Sequence, residues 1–177
     1  MKNFIDITHK NLAVKLAETR EEIEKARVLR FDELINKSNP DIPYSQCFDD
    51  SDFIYDHLIV TDRDNGSVVG TYRLGRREQL EKIGDFYTNV KFNVDSLMAA
   101  EGEVLELSRM AIRESYRDGS VIKLLWKGLF AYCARFDVKW LFGIISLPTT
   151  EPDDALNFLS YINNGLLTEE FLSLIHI

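Results

Sequence analysis

Apolar and polar positions alternate most regularly near the middle of the chain. Val121, Leu124, Leu125, Leu129, Tyr132, Cys133 and Phe136 recur at i, i+3, i+4 and i+7 spacing, while Lys123, Lys127 and Arg135 fall elsewhere. This pattern predicts an amphipathic helix packed on a sheet. Upstream, Val104 to Ile112 is an aliphatic run with strand character, and the polar stretch Arg113 to Gly119 separates the two. The order is strand, turn, helix. Such a turn aims the first backbone N–H groups of the helix out of the strand's end, where they attract an anion, although any α/β protein contains turns of this kind.

The rest of the chain supplies further elements. Lys2 to Leu16 is of mixed pattern and reads as a first strand or an arm. Thr19 opens a helix, with Glu22 three residues on to reach back to the cap. Ile23, Ala26, Arg30 and Leu34 lie on one stripe of it, and the pattern fails between Asn36 and Pro43. An acidic loop with Asp49, Asp50, Asp52 and Asp56 leads into a strand from His57. Asp64-Asn65-Gly66 is a hairpin turn joining that strand to Val68 to Leu74, since Asn-Gly takes the positive φ angles a tight turn requires. Glu78 to Met98 is expected to form a short helix and a loop carrying Phe86 and Tyr87, aromatics that fill core or line a channel. Lys139 to Ser146 reads as a buried strand, and Pro152 to Leu159 begins another helix.

Composition narrows the class. With 177 residues and 45% hydrophobic content, the chain is expected to bury one core as a single domain. A net charge of −8 argues against a nucleic-acid partner, because counterion release needs a basic surface. Arg73, Arg76, Arg77 and Lys82, or Lys123 and Lys127, form a local basic patch or an ordinary solvated face. The two cysteines, Cys47 and Cys133, are unrelated in spacing; Cys133 reads as a buried thiol, and a reducing cytoplasm is expected. No apolar run reaches the ~20 residues of a membrane span, so any lipid-linked role would be peripheral to the bilayer. No spacing is diagnostic of a metal.

Several words of the sequence occur together in one known family. Glu106-Leu107-Ser108-Arg109, Tyr116-Arg117-Asp118-Gly119 and Leu124-Leu125-Trp126-Lys127-Gly128-Leu129 follow Asp56-His57-Leu58, Gly70-Thr71-Tyr72-Arg73-Leu74 and Gly84-Asp85-Phe86-Tyr87, and precede Leu141-Phe142-Gly143 with Ser146. In this order they resemble the GNAT-type L-ornithine Nα-acyltransferases of ornithine-lipid synthesis, hemolysin-like proteins related to acyl-homoserine lactone synthases. The resemblance runs from about Leu16 to Leu159. It implies an α/β GNAT-like acyltransferase fold, a mixed central sheet flanked by helices. It also implies two further strands that this chain is expected to lack; separately, Leu172 to Ile177 is expected to be a non-native tail.

The same resemblance implies the chemistry: transfer of a fatty or 3-hydroxyfatty acyl group from acyl carrier protein, or from acyl-CoA, to the amine of ornithine or a similar amino acid, with no bound cofactor. An attacking amine must lose a proton, and Glu106 is the candidate base. Arg109 would grip a substrate carboxylate or pair with a loop aspartate. Asp49, Asp52 and Asp56 would hold an ammonium, or form a solvated acidic loop; Arg73 would bind substrate or make a structural ion pair. Residues three apart on a regular strand face opposite ways, so Glu106 and Arg109 share a cleft only across a bulge, which the family's strand has.

Backbone at Ala111 and Ile112 would polarise the thioester carbonyl, and Arg113, Arg117, Gly119 and Ser120 would meet the donor's phosphate. Counted from Arg117, the usual R-x-x-G-x-G/A glycines fall on Ser120 and Ile122. That departure fits a carrier-protein thioester, which has no pyrophosphate, better than coenzyme A. Alternatives are an acetyl-CoA-dependent small-molecule N-acetyltransferase, an acyl-homoserine lactone synthase and a non-catalytic GNAT-like binding module.

Overall fold

Residues 4–37, 39–48, 50–144, 149 and 151–166 are described by a computed structural model. The N-terminal segment is a hairpin, β1 (Ile7–His9) and β2 (Leu12–Leu16), turning through Lys10 in the left-handed region. Helix α1 (Arg20–Arg30) follows, capped as its sequence predicts: Glu22 N–H donates to Thr19 Oγ1 at 3.2 Å, and the Glu22 carboxylate accepts from Glu18 N–H at 2.8 Å. A π-helical turn, Phe31–Asn36, continues it, and Leu34 is 43% exposed. The expected stripe therefore ends one turn early. The buried face of α1 is instead Ala26, Arg27, Leu29 and Arg30.

Strands β3 (Asp56–Asp62) and β4 (Val68–Arg76) form the predicted hairpin. Helices α2 (Arg77–Ile83) and α3 (Asp95–Ala99) flank a 3-10 turn at Tyr87–Val90. Then come β5 (Glu103–Ile112), α4 (Ser120–Phe136), β6 (Val138–Gly143) and α5 (Pro152–Leu166). The sheet order is β1-β2-β3-β4-β5-β6, antiparallel except for the parallel β5–β6 pair. The strand expected to be buried over Lys139 to Ser146 is β6, which alternates half-buried and exposed positions, with Leu141 43% exposed. It is one of the two edge strands among the described residues, β1 being the other. Ser146 and the tail at Leu172 to Ile177 lie outside them.

The stripe on α4 packs against one sheet face. Val121, Leu124, Leu125, Leu129 and Tyr132 are buried with Val14, Leu58, Val60, Leu74 and Leu105; Cys133 and Phe136 are half-buried at the margin. A smaller cluster of Ala26, Leu29, Ile59, Val68 and Ala111 seats α1 on the opposite face. Gly70 lets α4 approach closely, because a Cβ there would lie 2.4 Å from Val121 Cγ1. Replacing Gly70 with Ala is expected to lower stability by about 1–3 kcal/mol through overpacking, measurable by denaturant titration.

Candidate active site

The pairing of β4 with β5 slips by one residue. Thr71 opposes Ala111 and Arg73 opposes Ser108, so Arg109 and Met110 together face Tyr72. This is a β-bulge, and Arg109 adopts φ +58° within it. The slip inverts the strand's phase. Before it, Leu105 and Leu107 pack toward α4; after it, Ile112 does, while Ala111 joins the α1 cluster. Glu106, Ser108 and Arg109 consequently serve the same side of the sheet.

On that side lies a cavity of about 340 Å³, lined by Cys47, Phe48, Ser51, Asp52, Tyr55, Arg73, Ile83, Asp85, Phe86, Tyr87 and Arg109. Asp52 is its electrostatic hub. It is 3% exposed and accepts from Arg27 Nε at 3.1 Å, Arg30 Nη2 at 2.6 Å and Arg73 Nη1 at 3.2 Å. Burial alone would raise the pKa of this carboxyl, but the hydrogen bonds and charge of Arg30, with the nearby His57 and Arg73, hold it down at about 2. His57 donates through Nε2 to the Asp52 carbonyl at 2.8 Å. Burial, aided by the charge of Arg30, lowers its pKa to about 4, so the ring is neutral at pH 7. Aromatic rings face the guanidinium groups: Phe53 at 4.3 Å from Arg27, Phe48 at 5.0 Å from Arg30, Tyr55 at 4.1 Å from Arg73 and Tyr87 at 4.8 Å from Arg109.

Two cavity cations thus differ in kind. Arg73 is committed to Asp52 and to Ser108 Oγ, 3.0 Å from its Nε. Arg109 stacks on Tyr87 and has no carboxylate partner among the described residues. Asp85, the second carboxylate on the wall, is exposed and accepts from Phe86 N–H at 2.7 Å and Asn89 Nδ2 at 2.5 Å.

Glu106 is completely buried and lies behind the cavity wall. Its two carboxylate oxygens accept from the backbone N–H groups of Tyr87, at 3.2 Å, and Thr88, at 2.6 Å. It therefore fixes the turn that presents Tyr87. Asp56 sits apart from the cavity, accepting from Tyr132 Oη at 2.5 Å and Gln79 Nε2 at 3.1 Å, with Arg76 3.9 Å away. Asp49 lies outside the described residues. Of the three loop aspartates, only Asp52 is seen at the cavity, and three arginines already occupy it.

The turn after β5 is equally self-contained. Ala111 and Ile112 remain paired with Thr71 and Gly70, and Arg113 N–H donates to Val69 O at 2.9 Å. Arg113 lies 3.9 Å from Asp32, while Arg117 pairs with Glu33 at 2.7 Å and donates to Ile112 O at 3.1 Å. Gly119 has φ +91°, and the Asp118 carboxylate accepts from Ser120 N–H at 2.8 Å and Ser120 Oγ at 3.2 Å. On its other edge β5 pairs with β6 only as far as Leu107; no described strand lies beside Ser108 to Ile112 there. That opening adjoins the bulge.

These features match a known architecture. A family model described as an acetyltransferase (GNAT) domain matches residues 27–127. The chain belongs to the GNAT family. The chain is 33% identical over 167 residues to an L-ornithine Nα-acyltransferase of Brucella abortus, covering 88% of this chain and 59% of that protein. It is 28% identical over 168 residues to one of Rhizobium meliloti, covering 88% and 57%. It therefore spans less than two thirds of the length of these curated relatives. Solved structures of the same fold include an aminoglycoside N-acetyltransferase in complex with CoA, with TM-score 0.52, 12% identity and coverage of 97% of this chain and 95% of that one. Another is an N-acyl amino acid synthase from uncultured soil microbes, with TM-score 0.52, 11% identity and coverage of 83% and 75%.

Sequence reasoning had no means of finding Asp85, Cys47 or the Arg27–Arg30 pair as cavity or hub residues. Arg30 lies on an ordinary helical stripe with Arg27 beside it, and only the fold brings Asp52 beneath them. Among the described residues no helix is long and apolar enough to cross a membrane, and no group of three or more His, Cys, Asp or Glu could hold a metal ion.

Proposed function

We propose that the protein is an N-acyltransferase that moves a fatty or 3-hydroxyfatty acyl group from acyl carrier protein to the amine of ornithine or a similar amino acid, for lipid synthesis at the cytoplasmic face of a membrane. The observation that carries this reading is Arg109, a cavity cation without a carboxylate partner among the described residues, in a chain similar to L-ornithine Nα-acyltransferases. The acceptor's carboxylate binds Arg109 through two parallel N–H donors. Asp85 faces the side-chain ammonium of a basic acceptor. Asp52 touches no substrate and instead holds Arg73 at the cavity wall.

Glu106 takes the proton from the α-amine through a water molecule, using carboxylate lone pairs that the Tyr87 and Thr88 N–H groups leave open. The amine then attacks the thioester carbon, and the carbonyl oxygen gathers charge against backbone at Ala111 and Ile112. Collapse of the tetrahedral adduct expels the carrier's thiolate, which takes up the proton that the adduct's positively charged nitrogen sheds and leaves as the thiol. Asp118 supports the choice of donor: its carboxylate already occupies the start of α4, where a coenzyme A pyrophosphate would have to displace it. A carrier-protein phosphodiester carries less charge, and Arg113 and Arg117 are near enough to that terminus to meet it.

The test is mass spectrometry of products from acyl-acyl carrier protein, acyl-CoA and a panel of amino acids. N-acyl-ornithine from the carrier-protein donor is the expected result, and product from acetyl-CoA alone would overturn the reading. Arg109→Ala is expected to raise KM for the amino acid by about tenfold or more, the scale of a lost charged hydrogen-bond pair. Asp85→Asn is expected to erode the preference for ornithine over a neutral amino acid of equal length, with donor hydrolysis unchanged.

A further inference from the structure

We infer that the outward face of α4 is a docking surface for a bilayer containing anionic phospholipid. Lys123, Trp126, Lys127, Phe130 and Ala134 recur along this helix at i, i+3, i+4, i+7 and i+11, opposite the stripe buried on the sheet. Trp126 is 41% exposed and Phe130 61%, and their rings pack with centroids 5.8 Å apart. Beside them a shallow groove is lined by His9, Ser120, Ile122, Lys123, Trp126 and Lys127 among others. The molecule therefore displays two large aromatic rings beside two exposed ammonium groups.

The charge on this face departs from that of the chain. The protein carries −8, yet Ser120–Phe136 contains Lys123, Lys127 and Arg135 and no carboxylate. Of the flanking carboxylates, Asp137 pairs with Lys139 at 2.6 Å, and Asp118 is turned onto Ser120 at the start of the helix. A cationic stripe carrying Trp and Phe suits the boundary between headgroups and acyl chains, where rings bury and ammonium groups meet phosphate. A second copy fits poorly, because an isologous contact would set the same cations against each other. An acidic soluble protein would answer the lysines but offers no hydrocarbon bed for both rings. The inference rests on this face alone and is independent of the reaction proposed above.

Sedimentation of the full chain with vesicles tests it. The chain is expected to bind phosphatidylcholine vesicles that include phosphatidylglycerol, at least about tenfold more tightly than phosphatidylcholine alone, with affinity falling as salt rises. In a Trp140→Phe background, which leaves Trp126 as the single tryptophan, emission should shift blue on those vesicles. Lys123→Glu with Lys127→Glu, and separately Trp126→Ala with Phe130→Ala, should each weaken binding about tenfold while circular dichroism and cooperative unfolding stay intact. Equal partition to both vesicle types overturns the inference. So does undiminished binding by either folded double variant, or a Trp126 shift produced by an acidic carrier protein and not by vesicles.

Discussion

Asp52→Ala is expected to lower the unfolding free energy by about 3–5 kcal/mol, the scale on which removing one member of a buried ion-pair group leaves its partners uncompensated. Arg27, Arg30 and Arg73 all aim at this carboxylate, and the side chains of Arg30 and Arg73 are only 2% and 6% exposed. Without it they repel one another in a site that water reaches poorly. Denaturant titration measures the loss, and combining Asp52→Ala with Arg30→Met should recover part of it, since one stranded charge is gone. If Asp52→Ala alone unfolds within about 1 kcal/mol of the parent, the hub is a solvated cluster with little net coupling.

The same centre sets an acid dependence whose sign follows from two depressed pKa values. His57 falls from 6.5 to about 4 in the folded chain, so between those values the unfolded chain holds a proton that the folded chain refuses. Stability is therefore full above pH 6.5 and declines by about 3 kcal/mol as pH falls to 4. Asp52 falls from 3.8 to about 2, so its contribution, about 2 kcal/mol, is present above 3.8 and disappears as pH drops through 2. Asp52→Asn should flatten the lower limb, and His57→Gln the upper one.

Glu106→Gln is expected to reduce kcat by about 10²–10³, with KM for the amino acid little changed, because a general base contributes to the transition state rather than to ground-state binding. Glutamine keeps one carbonyl oxygen for the Thr88 N–H but sets an NH₂ group against the Tyr87 N–H, so a fall in melting temperature is expected as well. The two roles separate in measurement. A loss of kcat well below the melting temperature reports the base. A chain that is thermally weakened yet turns over at the parent rate assigns Glu106 to holding the Tyr87 turn and nothing more.

The fold was legible where local pattern and packing agree. The α4 stripe, the Asn-Gly hairpin and the Thr19 cap each depend on residues within a few positions of one another, and each stands as the sequence predicts. Leu34 and β6 were misread because exposure there depends on what lies beside them. The site was less legible for the same reason. Phe86 and Tyr87 are adjacent, equally aromatic and both border the cavity, yet Phe86 is fully buried against Phe142 at 4.8 Å while Tyr87 is half-buried and stacks on Arg109. No spacing distinguishes them. Asp52 read as an amine holder because its three arginines arrive from α1 and β4, 21 to 25 positions away.

The extra residue at Arg109 also makes β5 unequal in its tolerance of mutation. Most single substitutions there would alter one contact, whereas losing a single codon between Ser108 and Ala111 would restore a regular ladder and take the Arg109 guanidinium out of the cavity, either by deleting it or by setting it opposite Tyr72 on the α4 side. Ala111 and Ile112 would keep their places opposite Thr71 and Gly70, so the core would survive while the site lost its cation. Over evolutionary time this strand should accept exchanges of residue type far more readily than changes of length.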